Sequence, residues 1–526
     1  MSASPCVAAT FPTPTLFGAE FLSLNASLVQ GYNGYAPAMW RYDQPTVPVQ
    51  NVTFCNITTS YTHPGQNDTI YVETWLPTQD VYNGRLQAVG GGGWAAGRFV
   101  LSYAGMAGAV VDGYATVTTD AGLGSDISGS WLYLSGDNSN LYDLKNFGST
   151  SLGDEAVIAK QFIKDFYGST PKYSYWNGCS NGGRQGLSLA QNYPNAYDGI
   201  IAAAPAIYWA ETNLNTIWGP LYMDMTKQYP NSCELAELTS LAVSFCDARD
   251  GVTDGIISEP EDCLNVFNAQ AYIGTSFFCS TTNSTLKISA AAANVATALW
   301  TGPKSSTGDS FWYGFNIGSD LSTLAPTKCS SNGTCTAASP NYSNELINYY
   351  IPSYNITNTT TSLYDFEHVV YKSLRKLFDP YLGNHDTDLS AFKAAGGKLV
   401  TYHGLADPSI SPQGTLHYYN SVGSQDPTIH DFYRYFKVPG LAHCWGGNSG
   451  QPVSLFGQLR EWVENSTAPN SSPVTITKPD NSTQDQLICA YPSRAVYACG
   501  NENKTMGTEC WSCVERDVNV VLEGGL

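Results

Sequence analysis

Charged residues are scarce in this chain of 526 residues. Asp, Glu, Lys and Arg together make up 13% of it, against roughly 25% in an average soluble domain. Basic residues are the scarcest, since 25 Lys and Arg face 44 Asp and Glu and the formal net charge is −19. An excess of negative charge repels phosphate backbones and anionic lipid headgroups. We therefore expect no nucleic-acid partner and no membrane partner.

Long apolar runs are also missing, and none approaches the ~20 residues that a membrane-spanning helix needs. No apolar stretch typical of a signal peptide follows Met1, so we expect that such a peptide is absent from the sequence as given. The fourteen cysteines need an oxidising compartment if they are paired. Together with many glycosylation sequons, they predict a secreted, extracellular glycoprotein. The sequons are at Asn25, Asn51, Asn56, Asn67, Asn283, Asn332, Asn341, Asn355, Asn358, Asn465, Asn470, Asn481 and Asn503.

Strand-like and helix-like patterns alternate along much of the chain. Residues 154–167 and 455–463 carry apolar side chains at helical spacing. Such alternation is typical of an α/β fold, in which helices cover a mostly parallel sheet. Runs of β-branched and aromatic residues predict the strands, at residues 71–75, 85–89, 114–118, 172–176, 199–203, 398–402 and 432–438.

The sequence Gly178-Cys179-Ser180-Asn181-Gly182-Gly183 follows a predicted strand and precedes a helix-like run at residues 184–191. Glycines around a serine at a sharp strand-to-helix turn tolerate the strained backbone and leave the hydroxyl exposed. A Gly-x-Ser-x-Gly sequence in isolation is more often a plain turn. The strand and helix around this one favour Ser180 as a nucleophile.

A serine nucleophile needs a base, and the base needs a carboxylate that orients it. Asp407 and His443 each lie in a short segment that directly follows a predicted strand, so they should lie at the carboxyl edge of the sheet, where such folds assemble their sites. The order Ser180, Asp407, His443 is that of α/β-hydrolases. His403 is a second candidate base, although its position near a strand end favours a structural role. His417 is expected to be a surface or packing residue of a helix.

The oxyanion of the reaction needs backbone N–H donors. Asn181, directly after the nucleophile, is expected to supply one. The glycine run at residues 90–93 follows a predicted strand and permits close backbone approach, so it is expected to supply the other. Within that run we favour Gly92 or Gly93.

A cluster of acidic residues begins after Cys246. Asp247, Asp250 and Asp254 lie within eight residues and would repel one another unless a cation neutralised them. Oxygen ligands on a tight loop suit Ca²⁺, although the spacing is not that of an EF-hand. The alternative is a solvated acidic turn.

Cys179 directly precedes the candidate nucleophile, and Cys444 directly follows the candidate base. With this pair the chain resembles the tannase and feruloyl esterase family, whose signature is a Cys-Ser, an Asp and a His-Cys with the two cysteines bonded. The resemblance extends over nearly the whole chain. It includes Tyr61-Thr62-His63-Pro64-Gly65, Gly90-Gly91-Gly92-Gly93-Trp94, residues 178–186, Tyr402-His403-Gly404 and Trp462-Val463-Glu464-Asn465.

The resemblance implies an α/β-hydrolase catalytic domain at residues 1–206 and 389–526, interrupted by a lid domain at 207–388. It also implies that the acidic loop binds a structural Ca²⁺ in the lid, far from the ester chemistry. The implied ligands are the side chains of Asp247, Asp250 and Asp254 and the carbonyls of Val252 and Ile256. The implied disulfides are Cys6–Cys55, Cys179–Cys444, Cys246–Cys263 and Cys489–Cys513. Proximity and elimination pair the other cysteines as Cys233–Cys279, Cys329–Cys335 and Cys499–Cys510.

Members of the family hydrolyse esters of phenolic acids through an acyl-enzyme, without an organic cofactor. We expect a feruloyl esterase acting on plant cell-wall esters, with a tannase as the alternative. Asn181 departs from the Thr of many feruloyl esterases and from the Asp of some tannases, so it does not decide between them. Hydrolysis of another aryl ester and a non-catalytic binding glycoprotein remain open. Lid aromatics that could hold the acyl ring include Trp209, Trp218 and Trp312.

Overall fold

The computed structural model describes residues 5–135, 138–330, 333–338, 362, 366–499 and 507–515. Within these residues no helix is both long enough and apolar enough to cross a bilayer. Eight of the thirteen sequons lie in the described residues, and all of their asparagines are exposed except Asn56, which is half-buried. The other five, at Asn332, Asn341, Asn355, Asn358 and Asn503, lie outside them.

A nine-stranded sheet forms the centre of the molecule. Its spatial order is β1-β2-β3-β5-β4-β6-β7-β8-β9, in which β1, β2, β3 and β5 pair antiparallel and the pairs from β5 to β9 are parallel. The strands are β1 (Glu20–Ala36), β2 (Val47–Thr62), β3 (Ile70–Pro77), β4 (Arg85–Val89), β5 (Ala115–Thr119), β6 (Tyr173–Cys179), β7 (Gly199–Ala203), β8 (Lys398–Gly404) and β9 (Tyr433–Val438).

All seven predicted strands are present, and the α/β-hydrolase fold with a mostly parallel sheet is confirmed. Two strands, β1 and β2, were not predicted from the sequence, although they are the longest in the described residues. Most side chains of β1 are exposed or half-buried, and three of its residues are Asn or Gly at the exposed turn end. Several of its large apolar side chains, Leu22, Leu28 and Tyr35, are themselves exposed. Apolar and polar residues therefore do not alternate cleanly along β1, and its sequence signal is weak.

Helices cover both faces of the sheet, as the alternating pattern predicted. Leu152, Phe162 and Tyr418 belong to the core on one face, and Met106 and Leu459 to the cores on the other. Fourteen α-helices are assigned in the described residues: α1 (Ala38–Arg41), α2 (Val100–Val111), α3 (Leu141–Lys145), α4 (Ser151–Tyr167), α5 (Asn181–Asn192), α6 (Trp209–Thr226), α7 (Ser232–Cys246), α8 (Pro260–Leu264), α9 (Ala290–Thr301), α10 (Leu321–Leu324), α11 (Lys372–Leu382), α12 (Ser390–Ala394), α13 (Pro412–Gln425) and α14 (Leu455–Asn465).

The chain leaves the sheet after β7 and returns to it at β8. Between them, helices α6, α7, α9 and α11 pack around a separate hydrophobic core, which also includes Trp94 and Phe147 from the sheet side. The boundaries of a lid domain at 207–388 remain a prediction. Short two-stranded sheets complete the fold, formed by Tyr133–Ser135 with Asn138–Ser139, Ser276–Cys279 with Ser284–Lys287, Thr327–Cys329 with Cys335–Ala337, Ser471–Thr477 with Thr483–Cys489, and Arg494–Tyr497 with Trp511–Val514.

Candidate active site

Ser180 lies at the turn between β6 and α5, where the sequence predicts the nucleophile. Its backbone has φ 63° and ψ −122°, a left-handed conformation that non-glycine residues rarely adopt. The turn is held by a hydrogen bond from its N–H to the carbonyl of Ala203, at 3.0 Å. A Cβ on Gly178 would lie 2.5 Å from the backbone of Gly182. Glycine is therefore required for the strand and helix to approach so closely.

Asp407 and His443 follow β8 and β9, and the structure brings them together. Nδ1 of His443 lies 2.7 Å from Oδ2 of Asp407. The other carboxylate oxygen accepts hydrogen bonds from the N–H groups of Ser409 and Ile410, at 2.7 and 3.0 Å. Burial tends to raise the pKa of Asp407, but the attraction of His443 and the hydrogen bonds from His403 and His443 outweigh it and lower the pKa below its usual value. Asp407 is therefore held as a carboxylate.

The other candidate base, His403, is fully buried. Its Nε2 lies 3.1 Å from Oδ2 of Asp407, the oxygen that also contacts His443, and its Nδ1 lies 2.8 Å from Oγ1 of Thr415. His443 instead shares a pocket with Ser180. The geometry thus favours His443 as the base and His403 as a support for Asp407. His417 lies on α13 against Tyr313, as expected of a packing residue.

All seven expected disulfides are present in the structure. The bond between Cys179 and Cys444 joins the neighbours of Ser180 and His443 across 265 residues of sequence, with the two Cα atoms 6.0 Å apart. Both cysteines are buried in the core that holds Val438 and Leu441. The bond therefore fixes the two loops on which a nucleophile and a base would sit.

Ser180 and His443 open into a cavity of about 540 Å³. One wall is a face of α6, with Trp209, Thr212, Asn213 and Thr216 at helical spacing. Of the three tryptophans considered for the acyl ring, only Trp209 lines this cavity. Trp218 lies in the separate core formed by α6, α7, α9 and α11, and the ring of Trp312 packs against Tyr208. The remaining lining residues are Gly93, Asn181, Ala206, Thr323, Leu324, Pro408, Ser409 and Ile410.

The glycine turn after β4 faces the same cavity through Gly93. The N–H of Gly92 is already bonded to the carbonyl of Ala95, at 3.1 Å. Among the described residues, no acceptor is found for the N–H of Gly93 or for that of Asn181, the first residue of α5. Of the two glycines that the sequence left open, the geometry therefore favours Gly93.

The acidic loop places Asp254 in the interior, 1% exposed. Neither of its carboxylate oxygens has a hydrogen-bond partner among the described residues. Burial, together with the carboxylates of Asp250 and Asp247, raises the pKa of Asp254 to about 7. A buried carboxylate without donors, beside two others, fits a cation. The side chains are not already gathered around a centre, since no group of three His, Cys, Asp or Glu that could hold a metal occurs in the described residues.

The acidic loop packs directly against the segment that carries His443. A Cβ on Gly440 would lie 2.5 Å from Cγ2 of Ile256. The side-chain amide of Asn448 donates to the carbonyl of Gly255, at 3.3 Å. The loop therefore contacts the segment that carries His443, while its separation from the ester chemistry stays a prediction. Contacts between segments almost 200 residues apart carry no local sequence signal.

The mostly parallel sheet, with a strand–serine–helix turn at its carboxyl edge, places the chain in the α/β-hydrolase class. A family profile described as "Tannase and feruloyl esterase" matches residues 55–510. A "Probable feruloyl esterase" of Arthroderma benhamiae is 35% identical over 515 residues, which cover 95% of this chain and 93% of the relative. The chain belongs to the tannase and feruloyl esterase family, and it is a carboxylic ester hydrolase.

Two solved structures are similar over almost the whole chain. The tannin acyl hydrolase from Aspergillus niger has a TM-score of 0.83 at 25% identity, covering 97% of this chain and 95% of its own. Feruloyl esterase B from Aspergillus oryzae has a TM-score of 0.73 at 25% identity, covering 95% of this chain and 97% of its own. Names of both activities thus occur among similar proteins.

Proposed function

We propose that this chain is a secreted serine esterase that hydrolyses phenolic acid esters, with hydroxycinnamoyl (feruloyl) esters of plant cell-wall material as its substrates. The observation that carries the proposal is the cavity that Ser180 and His443 share, with His443 bonded to the buried Asp407. Seven disulfides and exposed sequons support passage through an oxidising secretory route.

The proposed reaction is a two-step acyl transfer. Nε2 of His443 accepts the proton of the Ser180 hydroxyl while Oγ attacks the ester carbonyl. The proton then passes to the departing alcohol, and the acyl group stays on Oγ. Water, deprotonated by His443, attacks the acyl-enzyme and releases the acid, and Oγ recovers its proton. Asp407 holds the imidazole in the required tautomer and stabilises its cation.

The oxyanion that develops in both steps would be stabilised by the N–H groups of Asn181 and Gly93. Both residues line the cavity beside Ser180, and both N–H groups are free of other acceptors in the described residues. Donors already in place stabilise charge as it appears, without reorganisation.

The choice of acyl group rests on the comparisons and on the cavity. The relative at 35% identity is named a probable feruloyl esterase. Trp209 offers a flat ring to an aromatic acid, and the Thr and Asn side chains of α6 offer polar contacts to ring substituents. Tannase activity is the second candidate, favoured by the TM-score of 0.83 to a tannin acyl hydrolase.

We further propose that the acidic loop binds Ca²⁺. The ligands would be the side chains of Asp247, Asp250 and Asp254 with the carbonyls of Val252 and Ile256. The unpartnered, buried carboxylate of Asp254 supports this set. A bound Ca²⁺ would neutralise the repulsion among the three carboxylates and so stabilise the loop.

The deciding experiment measures release of free acid from methyl ferulate, methyl caffeate and methyl gallate, side by side. We expect the highest kcat/KM on the two hydroxycinnamates. A preference for methyl gallate would select the tannase activity instead. Folded protein that releases acid from none of the three would contradict the proposed substrate class. The Ser180→Ala variant is the matched control for turnover at this site.

A further inference from the structure

We propose that Arg184 is a positioning residue of the oxyanion hole, a buried guanidinium that orients the side chain of Asn181 against the glycine turn. The inference rests on the proposed function, in which the N–H of Asn181 stabilises the oxyanion. Arg184 lies on the first turn of α5, where its N–H bonds to the carbonyl of Ser180 at 3.0 Å.

The guanidinium of Arg184 is fully buried, and no carboxylate pairs with it in the described part of the chain. Its donors bond only to neutral oxygens: Oδ1 of Asn181 at 2.8 Å, the carbonyls of Phe147 and Gly148 at 2.9 Å each, and Oδ1 of Asn384 at 3.1 Å. Burial lowers the pKa of Arg184 to about 9, so the group remains a cation at neutral pH. An unpaired buried charge is costly for a fold to keep.

Two aromatic rings accompany this cation. Its central carbon lies 4.9 Å from the ring centre of Phe147 and 5.7 Å from that of Trp209. Trp209 is also a wall of the cavity beside Ser180. The guanidinium therefore lies beside two residues that line the candidate substrate site, Trp209 and Asn181.

Asn181 connects the guanidinium to the other wall of the oxyanion hole. Its Oδ1 accepts from Arg184, so its amide group points the other way and donates to the carbonyl of Ala95, at 3.1 Å. Ala95 in turn pairs with Gly92 through two backbone hydrogen bonds of 3.1 Å. A continuous chain of hydrogen bonds thus links Arg184 to the turn that presents Gly93.

The orientation of the Asn181 amide depends on Arg184. Without the guanidinium, Oδ1 of Asn181 would be buried without a donor, so the side chain could rotate away from Ala95 and break the link to the glycine turn. Gln185 also ties α5 to this turn, through Gly91 and Ala96, so the turn itself should persist. Arg184 holds the side chain of Asn181 in position and adds a positive charge near the developing oxyanion. Both effects stabilise the transition state more than the ground state.

The test compares Arg184→Met and Arg184→Lys with Ser188→Ala. Ser188 lies on the same helix and donates to the same carbonyl of Gly148, at 2.9 Å, but does not bond to Asn181. We expect Arg184→Met to lower kcat by about 10- to 100-fold with KM within about twofold. This is less than the loss of about 100- to 1000-fold that follows removal of an oxyanion donor itself, because Arg184 acts through Asn181. Arg184→Lys, which keeps the charge without the planar fork, should recover part of the loss. Ser188→Ala should keep wild-type kcat.

A second measurement uses the rate at which a p-nitrophenyl alkylphosphonate reacts with Ser180, because its adduct resembles the tetrahedral state. The rate should fall with kcat in the two Arg184 variants and stay unchanged in Ser188→Ala. If Arg184→Met does not fold, the same rates are measured for Arg184→Lys and Asn181→Ala instead. In a double-mutant cycle, Asn181→Ala with an Arg184 variant should slow phosphonylation no more than the larger single effect.

Wild-type kcat and phosphonylation rates in a folded Arg184→Met or Arg184→Lys variant would overturn the inference. So would additive effects of the Arg184 and Asn181 substitutions, or an equal loss in Ser188→Ala. Wild-type protein that is phosphonylated on Ser180 yet hydrolyses none of the three methyl esters would contradict the proposed substrate class and leave the Arg184 comparison intact. Absence of phosphonylation in the wild type would overturn both.

Discussion

Removal of the bond between Cys179 and Cys444 should leave the protein folded at the assay temperature but remove most of its activity. The double variant Cys179→Ala/Cys444→Ala opens a loop of 265 residues of sequence separation. From the chain-entropy relation, this bond stabilises the fold by about 5–6 kcal/mol. Six other disulfides remain in the variant, so we expect it to fold.

The expected change in melting temperature is modest because the protein is large. A melting entropy of ~2.1 cal/mol/K per residue gives about 1.1 kcal/mol/K for 526 residues. A loss of about 5–6 kcal/mol then lowers the melting temperature by about 5 °C. The variant should therefore be fully folded at an assay temperature well below its transition.

The expected loss of activity is about 100-fold in kcat, because a displacement of about 1 Å between reacting groups can cost that much. Ser180 and His443 are each one residue from a bonded cysteine, and both cysteines are buried. Freed from each other, the two loops can separate without unfolding the sheet. KM should change less than kcat, since the α6 wall of the cavity is not attached to this bond.

The control is Cys6→Ala/Cys55→Ala, which removes a bond of 49 residues of separation that does not touch the cavity. Its expected stabilisation is similar, about 4 kcal/mol, and its kcat should stay at the wild-type value. The assay is hydrolysis of the preferred methyl ester, with melting followed by circular dichroism. Wild-type kcat in Cys179→Ala/Cys444→Ala, or an equal loss in the control variant, would refute the reasoning.

Three further predictions concern the nucleophile, the acidic loop and a buried histidine. Ser180→Ala should lower kcat by about 10⁴-fold or more without a change in melting temperature, and ordinary turnover in this variant would remove Ser180 from its role. Chelation by EDTA should lower the melting temperature by several degrees, as should Asp250→Ala, because in both cases the bound Ca²⁺ is lost and the remaining carboxylates are no longer neutralised; identical melting curves with and without Ca²⁺ would contradict a calcium site. The hydrogen bond to Asp154 and, against the effect of burial, that to Asp68 raise the pKa of His63. The stabilisation from its charged form is complete below its unfolded pKa of about 6.5 and is lost as pH rises through the raised folded value. The melting temperature of the wild type should therefore fall more steeply with rising pH above about 6.5 than that of His63→Gln, and parallel profiles would show that His63 does not contribute.

Much of the fold and of the candidate site could be predicted because its signals are local. The buried strands that precede Ser180, Asp407 and His443 are short apolar runs ended by turn residues, and each of the three polar residues lies within five residues of its strand. Parallel strands meet at one edge, so residues after their carboxyl ends converge. Strands with weak sequence signals could not be predicted, as in β1, whose side chains are largely solvated.

Several choices were left open by the sequence because they depend on where a side chain points. His403 and His443 both lie near strand ends, and only the structure shows that one is buried on Asp407 while the other opens into the cavity. Gly92 and Gly93 are neighbours in a glycine run, and only the backbone pairing with Ala95 shows which N–H is already used.

The sequence by itself determined the α/β class, the nucleophile turn and the pairing of Cys179 with Cys444, because periodicity, turn glycines and a family signature are properties of neighbouring residues. The tertiary structure alone decided that the acidic loop contacts the segment that carries His443, and that Arg184 lies beside Asn181 with no carboxylate partner in the described residues. The physical reason is that burial and hydrogen-bond partners are set by segments that meet only after folding. Arg184 contacts Phe147, Gly148, Trp209 and Asn384, which lie between 25 and 200 residues away from it along the chain.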